Sequence, residues 1–129
     1  MDTLIDLQVN DREELIYLLT EAAEFEHTVM CSYLYAQWSL KREVCEGVTA
    51  EELRVIDRWR GMFLSVAMEE MLHLALVNNI LAAIGGAPHL SRPDFPVSRG
   101  KFPADVDFHL VPFNEQSIEH FVFLERPED

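Results

Sequence analysis

Apolar residues recur at helical spacing through two long stretches of the chain. Counted at about 100° per residue, Ile56, Trp59, Phe63, Val66, Leu74, Val77, Leu81 and Ile84 fall on one stripe. Glu70 and His73 lie inside that stripe, where further Leu or Val is the expectation. Upstream, Leu15, Leu19, Ala22, Met30, Tyr33, Gln37 and Leu40 share a face, and Glu26 sits at its centre. Glu14, Glu21, Glu24 and Thr28 point roughly the other way, as a solvated face should.

The helix ends follow from capping chemistry. Residues 1–9 read as a short lead-in. Asn10 or Asp11 can cap the first helix, with Glu13 or Glu14 completing a capping box. No Gly or Pro intervenes before Gly47, so a helix is predicted over residues 11–46, fraying after Leu40. Thr49 and Glu52 form a second capping box, and the helix it starts runs to Ile84 and stops at Gly85 and Gly86. Two long amphipathic helices joined by a short loop predict an antiparallel bundle hairpin over residues 10–86. All six prolines follow it, between Pro88 and Pro127. They exclude regular helix or central strand, so residues 87–113 are predicted to be an extended strap laid over the hairpin, with a short extended piece at 107–113. Asn114 then caps a last short helix over 115–124 with Ile118, Phe121 and Leu124 on one face. The chain reads as one all-α domain over 1–129.

A carboxylate at a core position is costly unless it is paired or bound to metal. Glu70 and His73 are three residues apart on one helix face, so both can reach one ion. Alone, that spacing is better explained by an amphipathic helix with a satisfied core histidine, because it is common by chance. Glu26 changes the balance. If the hairpin turns near Val48, Glu26 lies 22 residues before the turn and Glu70 lies 22 after it. At about 1.5 Å per residue, both stand about 30 Å from the turn. Tyr33, two turns from Glu26 on the same face, could hydrogen-bond a ligating carboxylate or be a core aromatic with a satisfied hydroxyl. Glu24 and His27 repeat the E-x-x-H spacing but point off the stripe, and Glu69 lies about 100° from Glu70. His89, His109 and His120 have no partner at ligand spacing, and Trp38 and Trp59 read as packing residues.

Composition narrows the partners. The net charge of −13 argues against nucleic acid and is compatible with cations. The N-terminus has no basic region or cleavage site, and no run of about 18 uncharged apolar residues suggests a membrane span. Cys31 and Cys45 make neither a disulfide framework nor a zinc pattern, so free thiols in a reducing cytoplasm are expected.

Glu26 with Tyr33, followed by Glu70-x-x-His73, resembles the first half of a ferritin-like di-iron protein. More narrowly, the stretches E-F-E-H-T-V-M-C-S-Y-L-Y-A (24–36), A-M-E-E-M-L-H-L-A-L-V-N-N-I-L (67–81), I-G-G-A-P-H-L-S-R-P-D-F-P (84–96) and V-P-F-N-E-Q-S-I-E-H-F-V-F-L-E-R-P-E (111–128) resemble the ferritin-like domain of the iminophenyl-pyruvate dimer synthase family. That family includes enzymes of violacein- and rebeccamycin-type biosynthesis. The resemblance implies a ferritin-like helical bundle with Glu26, Glu70 and His73 as metal ligands and Tyr33 beside them. It also implies a small organic substrate, dioxygen, and metal-dependent oxidase, oxygenase or ferroxidase chemistry. Two further long helices complete such a bundle, and none is present here. Either a second copy supplies them or they belong to a longer protein. A two-fold homodimer would gather four carboxylates and two imidazoles, the ligand set of a dinuclear iron site, with charges of −4 and +4 in balance. The competing expectation is a metal-free scaffold or interaction module whose inward polar residues form a hydrogen-bonded network. Iron storage is a third, and it would need a large shell.

Overall fold

The protein is described by a computed structural model covering residues 8–102 and 106–127. Its helices are α1 (Arg12–Trp38), α2 (Ala50–Ala83) and α3 (Glu115–Leu124). Each starts at a capping side chain. Asp11 accepts a hydrogen bond from the Glu14 amide at 2.8 Å, and Glu14 accepts one from the Asn10 amide at 2.9 Å. Thr49 and Glu52 cap α2 reciprocally, at 3.1 and 2.8 Å. Asn114 accepts from the Ser117 amide at 2.9 Å. Gly85, at φ +83°, takes the left-handed turn that ends α2.

α1 is shorter than the predicted 11–46. Side chains beyond Trp38 take the backbone groups that a continuing helix would need. Ser39 Oγ donates to the Ala36 carbonyl at 2.7 Å and accepts from the Phe113 amide at 2.7 Å. Glu46 accepts from the amides of Arg42 and Glu43, closing a single 3-10 turn at Val44–Glu46.

The two long helices are antiparallel. Arg12 donates to the Ile84 carbonyl at 2.6 Å, and the Tyr33 and Phe63 rings meet at 5.5 Å. That register puts Glu26 opposite Glu70. The symmetric hairpin about Val48 is nevertheless not what produces it. Trp38 falls near the level of Arg58, so the first two turns of α2 overhang α1 and the loop runs beside them, with Arg60 bonded to the Lys41 carbonyl.

The α1 face read as solvated is covered. Thr28 is fully buried. Glu24 lies 2.9 Å from His89 and 2.9 Å from Lys101, which also reaches Glu21 at 3.2 Å. Helical phase shows that this face is polar; it cannot show that a distant segment brings cations to it. The segment after α2 carries one antiparallel bridge, Val97 with Phe108, bonded at 2.9 Å in both directions. It drives Phe102 and Phe108 edge-on against Phe25, at 5.2 and 5.8 Å. These rings join Val29, Tyr33, Ala36, Ala67 and Phe121 in one core. Trp59 packs by stacking on Phe113 at 5.5 Å, whereas Trp38 is 63% exposed and does not serve as a core residue.

The hairpin core leaves much of α2 bare. Met62, Met68, Met71, Leu72, Leu76 and Ile80 are all exposed. A helix apolar nearly all round belongs inside a larger core or a membrane. α2 is long and apolar enough to cross a bilayer, with mean hydropathy 1.2 over 18 residues. Glu69, Glu70 and His73 interrupt that stretch, which is why a search for uncharged runs passes over it.

Phe108 tests the docking of the proline-rich segment, since its fully buried ring has no polar role. Phe108→Ala should lower stability by about 3–5 kcal/mol in urea denaturation. A loss below about 1 kcal/mol would mean that the segment adds little to the fold.

Candidate metal centre

Glu26 comes from the middle of α1; Glu70 and His73 come from successive turns of α2. One ligand atom from each lies within 4.8 Å of the others. His73 Nδ1 stands 3.5 Å from Glu26 Oε2 and 3.6 Å from Glu70 Oε2. Among the described residues this is the one group of three or more His, Cys, Asp or Glu at metal-ligand spacing. The Glu26 and Glu70 side chains are largely buried, and His73 is half exposed at the edge of the bare α2 face. Glu26 Oε2 is buried without a hydrogen-bond partner among the described residues. An orphaned carboxylate oxygen aimed at a second carboxylate and an imidazole fits a cation, so the donor set suits a divalent metal.

The pairing also perturbs Glu70. Burial pushes the Glu70 carboxyl up to about 8. The neighbouring Glu26 adds to the rise by proton sharing and like-charge repulsion; His73 opposes it, and Glu125 contributes further repulsion. Without metal, two carboxylates at this separation hold a proton between them.

Tyr33 is buried beside the group, but its hydroxyl does not bond Glu26 or Glu70. It donates to Glu125 Oε1 at 2.8 Å. Its ring stacks on Phe121 at 4.1 Å and meets Phe63 edge-on. Burial, then the Glu125 bond, then the Glu125 and Glu70 charges push its phenol well above the usual range. Glu125 is the residue that sequence reasoning missed. It caps the C-terminal end of α3, four residues after Phe121 and seven after Ile118 on the same face; the sequence shows that phase but not the Tyr33 hydroxyl that reaches it.

The residues set aside lie elsewhere. Burial pushes the Glu24 carboxyl up, but its Lys101 and His89 bonds more than reverse this and leave it below the usual carboxylate range. His89 thus has a carboxylate partner that spacing did not reveal. His27 Nδ1 is buried without a hydrogen-bond partner among the described residues. His109 bonds Asp107 at 2.9 Å. His120 lies against the Phe108 and Phe121 rings, where burial pushes its imidazole down. Asp107, His109, Asn114 and His120 border a cleft of about 180 Å³. Glu69 is exposed.

The raised Glu70 carboxyl fixes a pH dependence. The folded state holds that proton more tightly than the unfolded state does, whose value is 4.5. Its stabilising contribution is complete below about pH 4.5 and is lost as pH rises through about 8. In chelator-treated protein, Tm should therefore fall between those limits, and Glu70→Gln should flatten the fall. A Tm profile unchanged by Glu70→Gln would contradict the assignment.

Comparison with known proteins agrees with this architecture. A family profile described as Ferritin-like matches residues 19–129. The 2-imino-3-(indol-3-yl)propanoate dimerase of Chromobacterium violaceum is 33% identical over 93% of this chain. The dichlorochromopyrrolate synthase of Lentzea aerocolonigenes is 32% identical over 93% of it. The aligned region spans only 14% and 13% of those relatives. No solved structure matches. The family match, the two relatives and the antiparallel helices carrying a Glu, Glu, His group agree, and the chain belongs to the Ferritin-like family.

Proposed function

We propose that this chain is half of a dinuclear metal protein, with iron as its metal and a homodimer as its working form. Glu26 and Glu70 are the carboxylate ligands and His73 is the nitrogen ligand. The observation that carries this reading is the meeting of those three side chains around the orphaned Glu26 Oε2. A second copy seated on the bare face of α2 would bury Met68, Met71, Leu72 and Leu76 and bring a second set of ligands to the half-exposed His73. Cys31 and Cys45 are unpaired, in keeping with a reducing cytoplasm.

Iron held there in its reduced form supplies dioxygen activation, so we propose an oxidoreductase of secondary metabolism acting on a small organic molecule. The named relatives guide that choice: one is a dimerase of an indolyl imino acid, the other a chromopyrrolate synthase. The residues of this chain hold the metal through two carboxylates and an imidazole.

A metal-free scaffold is the second reading, favoured by the raised Glu70 carboxyl, which can bond Glu26 without any ion. Metal linkage separates the two. A metal that binds only the folded state stabilises it by about 2.7 kcal/mol at a hundredfold excess over Kd. Iron(II) or cobalt(II) should raise the Tm of the wild type by several degrees, and Glu70→Ala and His73→Ala should abolish the rise. An equal rise in the variants, or none in the wild type, would favour the scaffold. Light scattering should give a dimeric mass; a folded monomer would contradict the shared site.

A further inference from the structure

We propose that His89 and Asn78 form a positioning bridge that keeps Glu26 facing Glu70 and His73. The inference rests on the proposed metal centre and names side chains that orient its ligands without touching the metal. Every link in the bridge is a hydrogen bond. His89 Nε2 lies 2.9 Å from Glu24 Oε1, and an ionised carboxylate can only accept, so the imidazole donates. The His89 amide donates to Asn78 Oδ1 at 2.5 Å. The Asn78 side-chain nitrogen donates to the Leu74 carbonyl at 3.0 Å. Both ends of the Asn78 amide are thus engaged, which fixes its orientation. On α1 the bridge ends two residues before Glu26, and on α2 it ends on the residue that follows His73.

The helix pair is tied at Arg12 with Ile84 and packed at Tyr33 with Phe63. Glu26 stands between those anchors, about 21 Å along α1 from Arg12. The bridge restrains the pair on that span. Glu24 and Glu26 are about 200° apart around α1, so they leave it on nearly opposite faces. A restraint on Glu24 therefore fixes the rotation of α1 about its axis, and with it the direction of Glu26. Glu24 is held from both sides, since its Oε2 lies 2.9 Å from Lys101 Nζ. His89 is held too. It follows Pro88, and the Gly86 amide closes the turn before it on the Leu81 carbonyl at 2.8 Å. The Glu24 and His89 side chains are largely buried. A buried pair of this kind is a weak source of net stability, because desolvation offsets its attraction; what it supplies here is register. His89 and Asn78 are then positioning residues for the centre.

The test is a cobalt(II) titration of the full chain, read by visible absorption at a temperature where every variant is folded. His89→Ala removes the donor to Glu24. It should weaken cobalt binding about 10-fold, the low end for groups that orient metal ligands, and alter the intensity of the cobalt bands. His89→Gln keeps a donor of similar reach and should restore most of the affinity. Asn78→Ala should weaken binding comparably, and the double variant His89→Ala with Asn78→Ala should be little worse than either alone, because both cut one bridge. Thr49→Ala is the control: it removes the cap of α2 far from the centre, and should lower Tm while leaving affinity and bands unchanged. Unchanged affinity and bands in His89→Ala would overturn the inference. So would equal losses in Thr49→Ala, which would reduce the bridge to general stability, or fully additive losses in the double variant. Cobalt binding lost in His73→Ala but untouched in His89→Ala leaves the metal centre standing and removes the bridge alone. No binding by the wild type overturns both.

Discussion

Two buried carboxylates facing each other across a helix pair are the constraint on which the rest of this structure depends. Glu26 and Glu70 sit where apolar side chains would pack at no cost. Left as two anions they would force α1 and α2 apart; one must hold a proton, or both must hold a cation. The register that makes them face each other is fixed on either side of them. Arg12 ties one end of the pair to the Ile84 carbonyl, and the Tyr33, Phe63 and Phe121 rings lock the other. His73, on the turn after Glu70, completes a donor set that a divalent metal can use.

Burial around this pair is lopsided. One face of α1 is sealed by the segment after α2, through phenylalanine rings and the Glu24, His89 and Lys101 ion pairs. The outer face of α2 is left apolar and bare, although its sequence is as hydrophobic as a core helix. A helix of that kind is half an interface. On the proposed reading, the bare surface and the metal centre lie on the same helix, and a second copy would cover the one and complete the other.

Much of this was legible in the sequence because it is local. Caps at Asp11, Thr49 and Asn114 need only neighbouring residues, and they set the starts of all three helices. Helical phase singled out Glu26 among many glutamates and put it with Glu70 and His73. What was not legible depends on contacts distant in sequence. Ser39 ends α1 early partly because it serves the Phe113 amide, 74 residues away. Glu24 is covered because His89 and Lys101 arrive from the proline-rich segment. Glu125 shares the α3 face of Ile118 and Phe121, but its partner, the Tyr33 hydroxyl, lies 92 residues before it. The matching heights of Glu26 and Glu70 emerged from a hairpin drawn too symmetrically; the inter-helix register, not the position of the turn, sets them.

The central claim is that two copies share one dinuclear centre. Elemental analysis after anaerobic iron loading, with the mass measured on the same sample, tests it most directly. The account predicts about one iron per chain, and so two per dimer. No bound iron, or iron bound by a stable monomer, would contradict it.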